Sequence, residues 1–148
     1  MDPNLKGVLT ELQVQEALLS QGFNVSVPIN PASRYDMIVD AYGHLFKVQC
    51  KTSRPVNNGD AFTFCTYSTN KLDGKYYKNL YGPDDVDLFA TSYDGSVYII
   101  PREMVEDSQT VTLRLNDTVN HQIRGIRYAK DYQLDNIVNQ YILPYNGY

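Results

Sequence analysis

Residues 35–53 read YDMIVDAYGHLFKVQCKTS, and their alternating pattern is the strongest structural signal in the chain. Two runs of alternating character flank Tyr42-Gly43, a dipeptide typical of a two-residue β-turn. The pattern predicts a β-hairpin with strands at 35–41 and 44–52. With a two-residue loop, residue 41 pairs with residue 44, and the same register sets Asp36 opposite Gln49.

The predicted hairpin has two different faces, because successive side chains of a strand point to opposite sides. One face brings together a carboxylate, a carboxamide and an ammonium group, those of Asp36, Gln49 and Lys51. A hard cation such as Mg²⁺ prefers oxygen ligands, and an adjacent lysine would reach a water or a scissile phosphate. The alternative is a solvated face whose charges have no chemical role. The other face is apolar and is the predicted core face: Tyr35, Met37, Val39, Ala41, His44, Phe46, Val48 and Cys50.

The rest of the chain predicts a single α+β domain over 1–148. Asp2-Pro3 is a good helix start, and a helix over 3–21 is predicted by apolar residues at helical spacing, namely Leu5, Val8, Leu9, Leu12 and Leu19. The other predicted elements are strands at 23–27, 61–68, 86–92, 96–101 and 110–115, a loop at 68–82, irregular structure at 116–130 and a helix at 131–142. The expected fold is a central mixed β-sheet flanked by helices.

Composition favours a globular protein, and its acidic net charge argues mildly against a nucleic-acid partner, although the charge is uneven along the chain. The 148 residues suffice for one domain with one core. No apolar run is long enough for a membrane span, and MDPNLKG lacks a secretory pattern, so we expect a cytoplasmic protein. Two cysteines are too few for a disulfide scaffold. The net charge is −4, but residues 41–82 contain six basic and two acidic residues, which leaves a basic region for nucleic acid.

The order of these motifs resembles the PD-(D/E)XK nuclease superfamily, which has a restriction-endonuclease-like core. The matching residues are Gly7 and Glu11 on the first helix, Tyr35-Asp36, and the run Val48-Gln49-Cys50-Lys51-Thr52-Ser53. The similarity continues at 86–90, 97–101, 113–115 and 128–132, so it covers nearly the whole chain. It points to the small resolvase-like branch, and within that branch to homing endonucleases of cyanobacterial group I introns.

The resemblance implies a divalent-metal site for phosphodiester hydrolysis. Asp36, Gln49, Glu11 and the Cys50 backbone carbonyl would be the metal ligands, and Lys51 would orient or activate the attacking water. Mg²⁺ is the expected ion, with Mn²⁺ able to substitute and Ca²⁺ bound without turnover. Gln49 stands where the motif usually has Asp or Glu, so metal binding should be weaker. For Glu11, the alternative is a solvated glutamate on an amphipathic helix.

The expected partner is double-stranded DNA. The loop at 68–82 is the best candidate for groove entry, with a plain solvated loop as its alternative. The segment 116–148 is the expected oligomerisation and DNA-contact segment, and ordinary core packing is the alternative for its tyrosine-rich end. Arg reads guanine edges, whereas Lys and Ser mainly position the backbone. The candidate DNA-binding residues are Ser53, Arg54, Lys71, Lys75, Tyr76, Lys78, Arg124 and Arg127.

Three functions fit this sequence. The first is a Mg²⁺-dependent, sequence-specific homing endonuclease that cuts both DNA strands and initiates intron mobility. It would be a dimer or a dimer of dimers, because one small domain with one catalytic site does not easily cover a long target and cut both strands. The second is a Holliday-junction resolvase or a restriction-type endonuclease. The third is a non-catalytic DNA-binding module, which the neutral Gln49 would favour.

Overall fold

A computed structural model describes residues 1–117 and 125–145. In chain order these form α1 (Pro3–Ser20), β1 (Asn24–Ser26), β2 (Met37–Ala41), β3 (His44–Cys50), β4 (Arg54–Val56), β5 (Ala61–Cys65), β6 (Tyr67–Leu72), β7 (Lys75–Leu80), β8 (Leu88–Tyr93), β9 (Ser96–Pro101) and β10 (Thr110–Arg114). A C-terminal helical segment follows, consisting of α2 (Leu134–Ile137), a π-helical turn (Val138–Ile142) and α3 (Leu143–Tyr145). No helix in the described part of the chain is long and apolar enough to cross a membrane.

The central sheet is mixed and has five strands in the order β1-β2-β3-β8-β9. β3 and β8 are parallel, and the other neighbouring pairs are antiparallel. The β2–β3 hairpin has the predicted register, with Ala41 paired with His44 and Met37 with Val48. Tyr42 and Gly43 both have positive φ, 54° and 82°, as a type I′ turn requires. The predictions of this hairpin and of a mixed sheet are confirmed.

Apolar clusters cover both faces of the central sheet. On one face, α1 and the C-terminal helical segment contribute Leu18 and Ile142 to a cluster that includes Phe46 of β3. On the other face lies a second antiparallel sheet in the order β10-β5-β4, whose Phe62 packs in a cluster with Phe89 of β8. The helices therefore flank one face of the central sheet, and a sheet covers the other.

Residues 68–82, predicted as a loop, are mostly strand. They contain the greater part of the antiparallel hairpin β6–β7, which turns at Asp73-Gly74 with φ values of 51° and 78°. Asp-Gly is itself a hairpin signal. The sequence did not indicate these strands because every residue from 69 to 80 is exposed. Without a buried apolar face, apolar and polar residues do not alternate along the strands. The strand predicted at 61–68 is correspondingly divided between β5 and β6.

The predicted helix α1 is confirmed, but its core face is not the expected one. Asp2 caps it, since its Oδ1 accepts a hydrogen bond of 3.2 Å from the Asn4 N–H. The buried side consists of Thr10, Val14 and Leu18. The apolar stripe that predicted the helix lies largely on the opposite side and remains 38–55% exposed, at Leu5, Val8, Leu9, Leu12 and Leu19.

Candidate active site

The structure places all five residues of the candidate site at one end of β3. Asp36 directly precedes β2, Gln49 and Cys50 end β3, and Lys51 follows. Glu11 approaches from α1, and its carboxyl lies close enough to that of Asp36 for a hydrogen bond when one of the two is protonated. This convergence depends on the register of the β2–β3 hairpin and on the packing of α1 against the same sheet.

Asp36 is held against the end of β3 by two backbone contacts. Its N–H donates to the Val48 carbonyl at 2.9 Å, and its Oδ2 accepts from the Cys50 N–H at 2.8 Å. Because the N–H and C=O of one strand residue face the same edge, the Cys50 carbonyl opens on the Asp36 side. Burial raises the pKa of the Cys50 thiol, and the charges of Asp36 and Glu11 raise it further. Cys50 therefore stays a neutral thiol and offers a metal its carbonyl oxygen.

Glu11 and Asp36 form a carboxyl pair that holds protons more readily than usual. Burial raises the pKa of Glu11, and the charge and hydrogen bond of Asp36 add to the effect. Burial also raises the pKa of Asp36, although the Cys50 amide, the Lys51 charge and the bond with Glu11 act in the opposite direction. Because burial is the largest cause for both groups, their ionised forms are poorly solvated in this site. A divalent cation would stabilise those ionised forms.

The Gln49 carboxamide lies between the Arg34 carbonyl and Asp36. Hydrogen bonding assigns its orientation, with the amide nitrogen donating to the Arg34 oxygen at 3.0 Å and to Asp36 Oδ2 at 3.3 Å. The opposite orientation would set the amide oxygen against two other oxygens, an arrangement that a cation would stabilise. Rotation of this one amide would turn its oxygen towards a cation.

This donor set fits a hard divalent cation. It offers the two carboxylates, an amide oxygen and a backbone carbonyl, which are the ligand types that Mg²⁺ combines with water. Within residues 1–117 and 125–145, no cluster of three or more His, Cys, Asp or Glu side chains is arranged to hold a metal. The amide of Gln49 stands where the resembling motif usually has Asp or Glu, so the site has one negative charge fewer than that motif would give it.

Lys51 connects the candidate site with the stem of the β6–β7 hairpin. Its Nζ donates to the Tyr67 carbonyl at 2.9 Å and to the Tyr81 hydroxyl at 3.0 Å. Tyr67 is the first residue of β6, and Tyr81 directly follows β7. The Lys51 charge acts to lower the pKa of Asp36, against the larger raising effect of burial.

Two residues at this junction were not predicted from the sequence, Arg34 and Tyr81. The Arg34 guanidinium donates to Ser68 Oγ and to the Leu80 carbonyl, each at 2.9 Å, and lies 4.0 Å from the centre of the Tyr81 ring. Neither residue belongs to a motif that carried the resemblance. Their contacts join segments that are 30 or more residues apart, which spacing along the chain does not reveal.

Comparison with known proteins identifies the family. Residues 1–135 match the PD-(D/E)XK endonuclease family. The chain belongs to that family. A solved structure titled as a bacterial homing endonuclease, I-Ssp6803I, has the same fold, with a TM-score of 0.77 over 99% of this chain and 96% of that chain, at 20% identity. No curated protein matches the sequence. The protein is a DNA endonuclease, and the predicted fold class is confirmed.

The predicted DNA-binding residues of this PD-(D/E)XK endonuclease lie in separate regions. Ser53 is half-buried and donates to the Ser92 carbonyl at 2.6 Å, whereas Arg54 is exposed on β4. Arg127 is half-buried and donates to the Met104 carbonyl at 3.3 Å. Arg124 lies outside the described residues. The remaining four candidates lie on the β6–β7 hairpin and are all exposed: Lys71, Lys75, Tyr76 and Lys78.

Substitution of Glu11 tests whether the endonuclease uses the carboxyl pair for a cation. We expect Glu11→Gln to raise the melting temperature of the metal-free protein at pH 7–8 by about 2 °C, a small effect because solvent screens this half-exposed pair. The pKa of Glu11 is raised in the folded state, so the folded protein binds protons more readily at this position than the unfolded chain does. The contribution of Glu11 to the free energy of unfolding therefore falls as the pH rises through that pKa. The gain should therefore shrink towards pH 4.

The same variant should lose part of the stabilisation that Mg²⁺ or Ca²⁺ gives the wild type, measured by calorimetry with and without the ion. Glu16→Gln is the matched control, because Glu16 is exposed on the same helix. Equal stabilisation of Glu11→Gln and the wild type by the cation would exclude Glu11 from the metal site.

Proposed function

We propose that this endonuclease is a Mg²⁺-dependent homing endonuclease, which hydrolyses both strands of DNA at a specific site and so initiates intron mobility. The main support for this proposal is the convergence of the Glu11–Asp36 pair, the Cys50 carbonyl and Lys51 at the end of β3. The fold that the chain shares with a bacterial homing endonuclease supports the specialised role.

The residues of the site fall into two groups, those that would bind a cation and the one that would orient the attacking water. Glu11, Asp36, Gln49 and the Cys50 carbonyl would hold Mg²⁺, which when bound polarises a phosphate and acidifies water. Mn²⁺ should substitute, and Ca²⁺ should bind without turnover. The ammonium of Lys51 would orient the attacking water and stabilise the charge that develops on the phosphate.

The β6–β7 hairpin is the proposed DNA-contact element. A two-stranded ribbon has the dimensions to enter the major groove. The register pairs Lys71 with Tyr76 and Thr69 with Lys78, so lysine and tyrosine side chains alternate along one exposed face. Lysines there would contact phosphates, while Tyr76 and the polar residues between them would reach base edges. Arg54 and Ser53 directly follow the site and would contact the adjacent backbone.

Two copies of the site would allow both strands to be cut together, and the surface of α1 supplies a suitable contact. The predicted interface near the C-terminus is largely buried within the chain, since Ile137, Val138 and Ile142 are at most 5% exposed. A helix that is apolar on both sides is usually covered on both. We therefore propose a homo-oligomer in which the exposed stripe of α1 packs against the same stripe of a second copy.

The stripe is self-complementary in sequence. Leu5, Leu12 and Leu19 are spaced by seven residues, so antiparallel packing about a two-fold axis at Leu12 sets Leu5 of one copy against Leu19 of the other. These side chains are about half-exposed in the single chain. Burial of each would contribute roughly 1 kcal/mol, and Val8 and Leu9 extend the contact.

We expect Leu12→Glu to weaken self-association at least about a hundredfold, because it sets two carboxylates against each other at the two-fold axis. Sedimentation equilibrium measures the change. Gln13→Glu adds the same charge at the neighbouring exposed position, outside the stripe, and should leave the association state unchanged. A monomeric wild type, or a Leu12→Glu variant that associates as well as the wild type, would contradict this interface.

A cleavage assay tests the proposed function. Purified protein is incubated with random-sequence plasmid libraries, an intronless host-gene library and a four-way DNA junction, with Mg²⁺ and with EDTA. The proposal predicts Mg²⁺-dependent double-strand cuts at one recurring sequence. Cleavage of the junction alone would instead indicate a resolvase. Binding without any cleavage in Mg²⁺ or Mn²⁺ would indicate a non-catalytic DNA-binding module.

A further inference from the structure

Tyr81 lies where the β6–β7 hairpin meets the candidate active site. It is 8% exposed, although the twelve residues before it are all exposed. Its hydroxyl accepts a 3.0 Å hydrogen bond from Lys51 Nζ, which lies 4.7 Å from the ring centre. The same ring lies 4.0 Å from the Arg34 guanidinium and packs edge-on against Phe89 at 5.7 Å. The ring is therefore fixed in place while its hydroxyl contacts the candidate catalytic lysine.

The ammonium of Lys51 needs such support because its four-carbon side chain is flexible. It has three N–H donors, and the Tyr67 carbonyl and Tyr81 hydroxyl engage two of them. These two hydrogen bonds fix the orientation of the ammonium and hence the direction of its third N–H. Both acceptors belong to the stem of the hairpin, so the position of the stem determines where the ammonium lies.

Arg34 makes a second connection between the stem and the site. Its guanidinium donates to Ser68 Oγ on β6 and to the Leu80 carbonyl at the end of β7, so it fixes both strands. Its own backbone carbonyl accepts from the Gln49 amide at 3.0 Å. Gln49 and Lys51, which flank Cys50 in the sequence, are therefore both tied to the base of the proposed DNA-contact element.

We propose that Tyr81 is a positioning residue, which holds Lys51 for the reaction and couples the seating of the hairpin on DNA to the placement of the ammonium. This inference rests on the proposed nuclease function of Lys51. It assigns Tyr81 an effect on the rate of the chemical step rather than on DNA affinity. Arg34 supports the same arrangement by fixing the stem and the Tyr81 ring.

The test compares Tyr81→Phe with Tyr98→Phe. The first removes only the hydroxyl that contacts Lys51 and keeps the packed ring, while the second removes a hydroxyl from another buried tyrosine of the same apolar cluster. We expect Tyr81→Phe to lower the single-turnover cleavage rate about tenfold, the factor associated with one hydrogen bond to a charged group. DNA affinity in EDTA should not change, the melting temperature should fall by only a few degrees, and Tyr98→Phe should behave like the wild type. An unchanged rate, or a loss confined to DNA affinity, would overturn the proposal.

A second readout does not depend on cleavage. Acetylation of the Lys51 amine by acetic anhydride, followed by mass spectrometry, reports how firmly the ammonium is held in the free protein. Lys51 should be acetylated several-fold faster in the Tyr81→Phe variant than in the Tyr98→Phe variant or the wild type. Equal acetylation rates would overturn the positioning role even in an active enzyme. Faster acetylation in a protein that cuts no DNA would retain the positioning contact and reject the proposed function.

Discussion

Lys51→Met is expected to lower the single-turnover rate of DNA cleavage by about 10²–10⁴-fold, the range for loss of a positioned proton-transfer or charge-stabilising group. Methionine keeps an unbranched side chain but removes the ammonium that donates to Tyr67 and Tyr81. DNA affinity should change little, because the exposed lysines of the hairpin remain. Rapid quench with excess protein over DNA measures the rate, and a gel-shift titration in EDTA measures the affinity.

Lys47→Met is the matched control for this substitution. Lys47 lies on the same strand and the same face as the site, and its Nζ donates to the Asp84 carbonyl rather than to the hairpin stem. The Lys47→Met variant should cut DNA at a rate close to that of the wild type. If Lys51→Met cuts as fast as Lys47→Met, or if it loses the fold, then the lysine has a structural role and the assignment fails.

Asp36→Asn is expected to reduce cleavage about a thousandfold at low Mg²⁺ concentration, because a bound cation supplies several kcal/mol of stabilisation to the reaction. The amide removes a negative charge from the metal site while its oxygen still accepts from the Cys50 N–H, so the fold should be kept. Part of the activity should return at high Mn²⁺ concentration as mass action compensates for weaker binding. Calorimetric titration of Mn²⁺ would show the weaker affinity directly.

The control for that variant is Asp40→Asn. Asp40 is half-buried on β2, four residues after Asp36, and has no proposed role in the site. Its substitution should alter neither metal affinity nor cleavage. An Asp36→Asn enzyme that keeps the wild-type dependence on Mg²⁺ concentration would contradict the assignment of Asp36 as a ligand.

The β2–β3 hairpin was predictable because its signals are local. One turn dipeptide and the alternation of apolar residues predicted the register, whose last pair, Met37 with Val48, leaves Asp36 and Gln49 next along the chain at the end of β3. Asp36 and Lys51 are close in sequence, so a local hairpin pattern was enough to predict that this part of the site comes together. Glu11 required the family resemblance, because its approach to Asp36 depends on how α1 packs.

Other features were not predictable because their signals are ambiguous or long-range. The apolar stripe of α1 correctly predicted a helix, but periodicity does not say which partner covers a stripe, and in the single chain it faces outward. The β6–β7 hairpin buries neither face, so its strands lacked an alternating pattern. Tyr81 contacts Lys51 across 30 residues of sequence, a relation that only the folded chain shows.

The central claim is that Glu11, Asp36, Gln49 and the Cys50 carbonyl form the metal site of this endonuclease. The most direct measurement is anomalous diffraction from Mn²⁺ in crystals of the protein with DNA. The account predicts a peak at about 2.0–2.6 Å from an Asp36 carboxylate oxygen and from the Cys50 carbonyl oxygen. It also predicts that the Gln49 amide oxygen turns towards the ion and that Lys51 lies beside the scissile phosphate. Mn²⁺ bound elsewhere along the DNA, with Glu11 and Asp36 still hydrogen-bonded to each other, would contradict it.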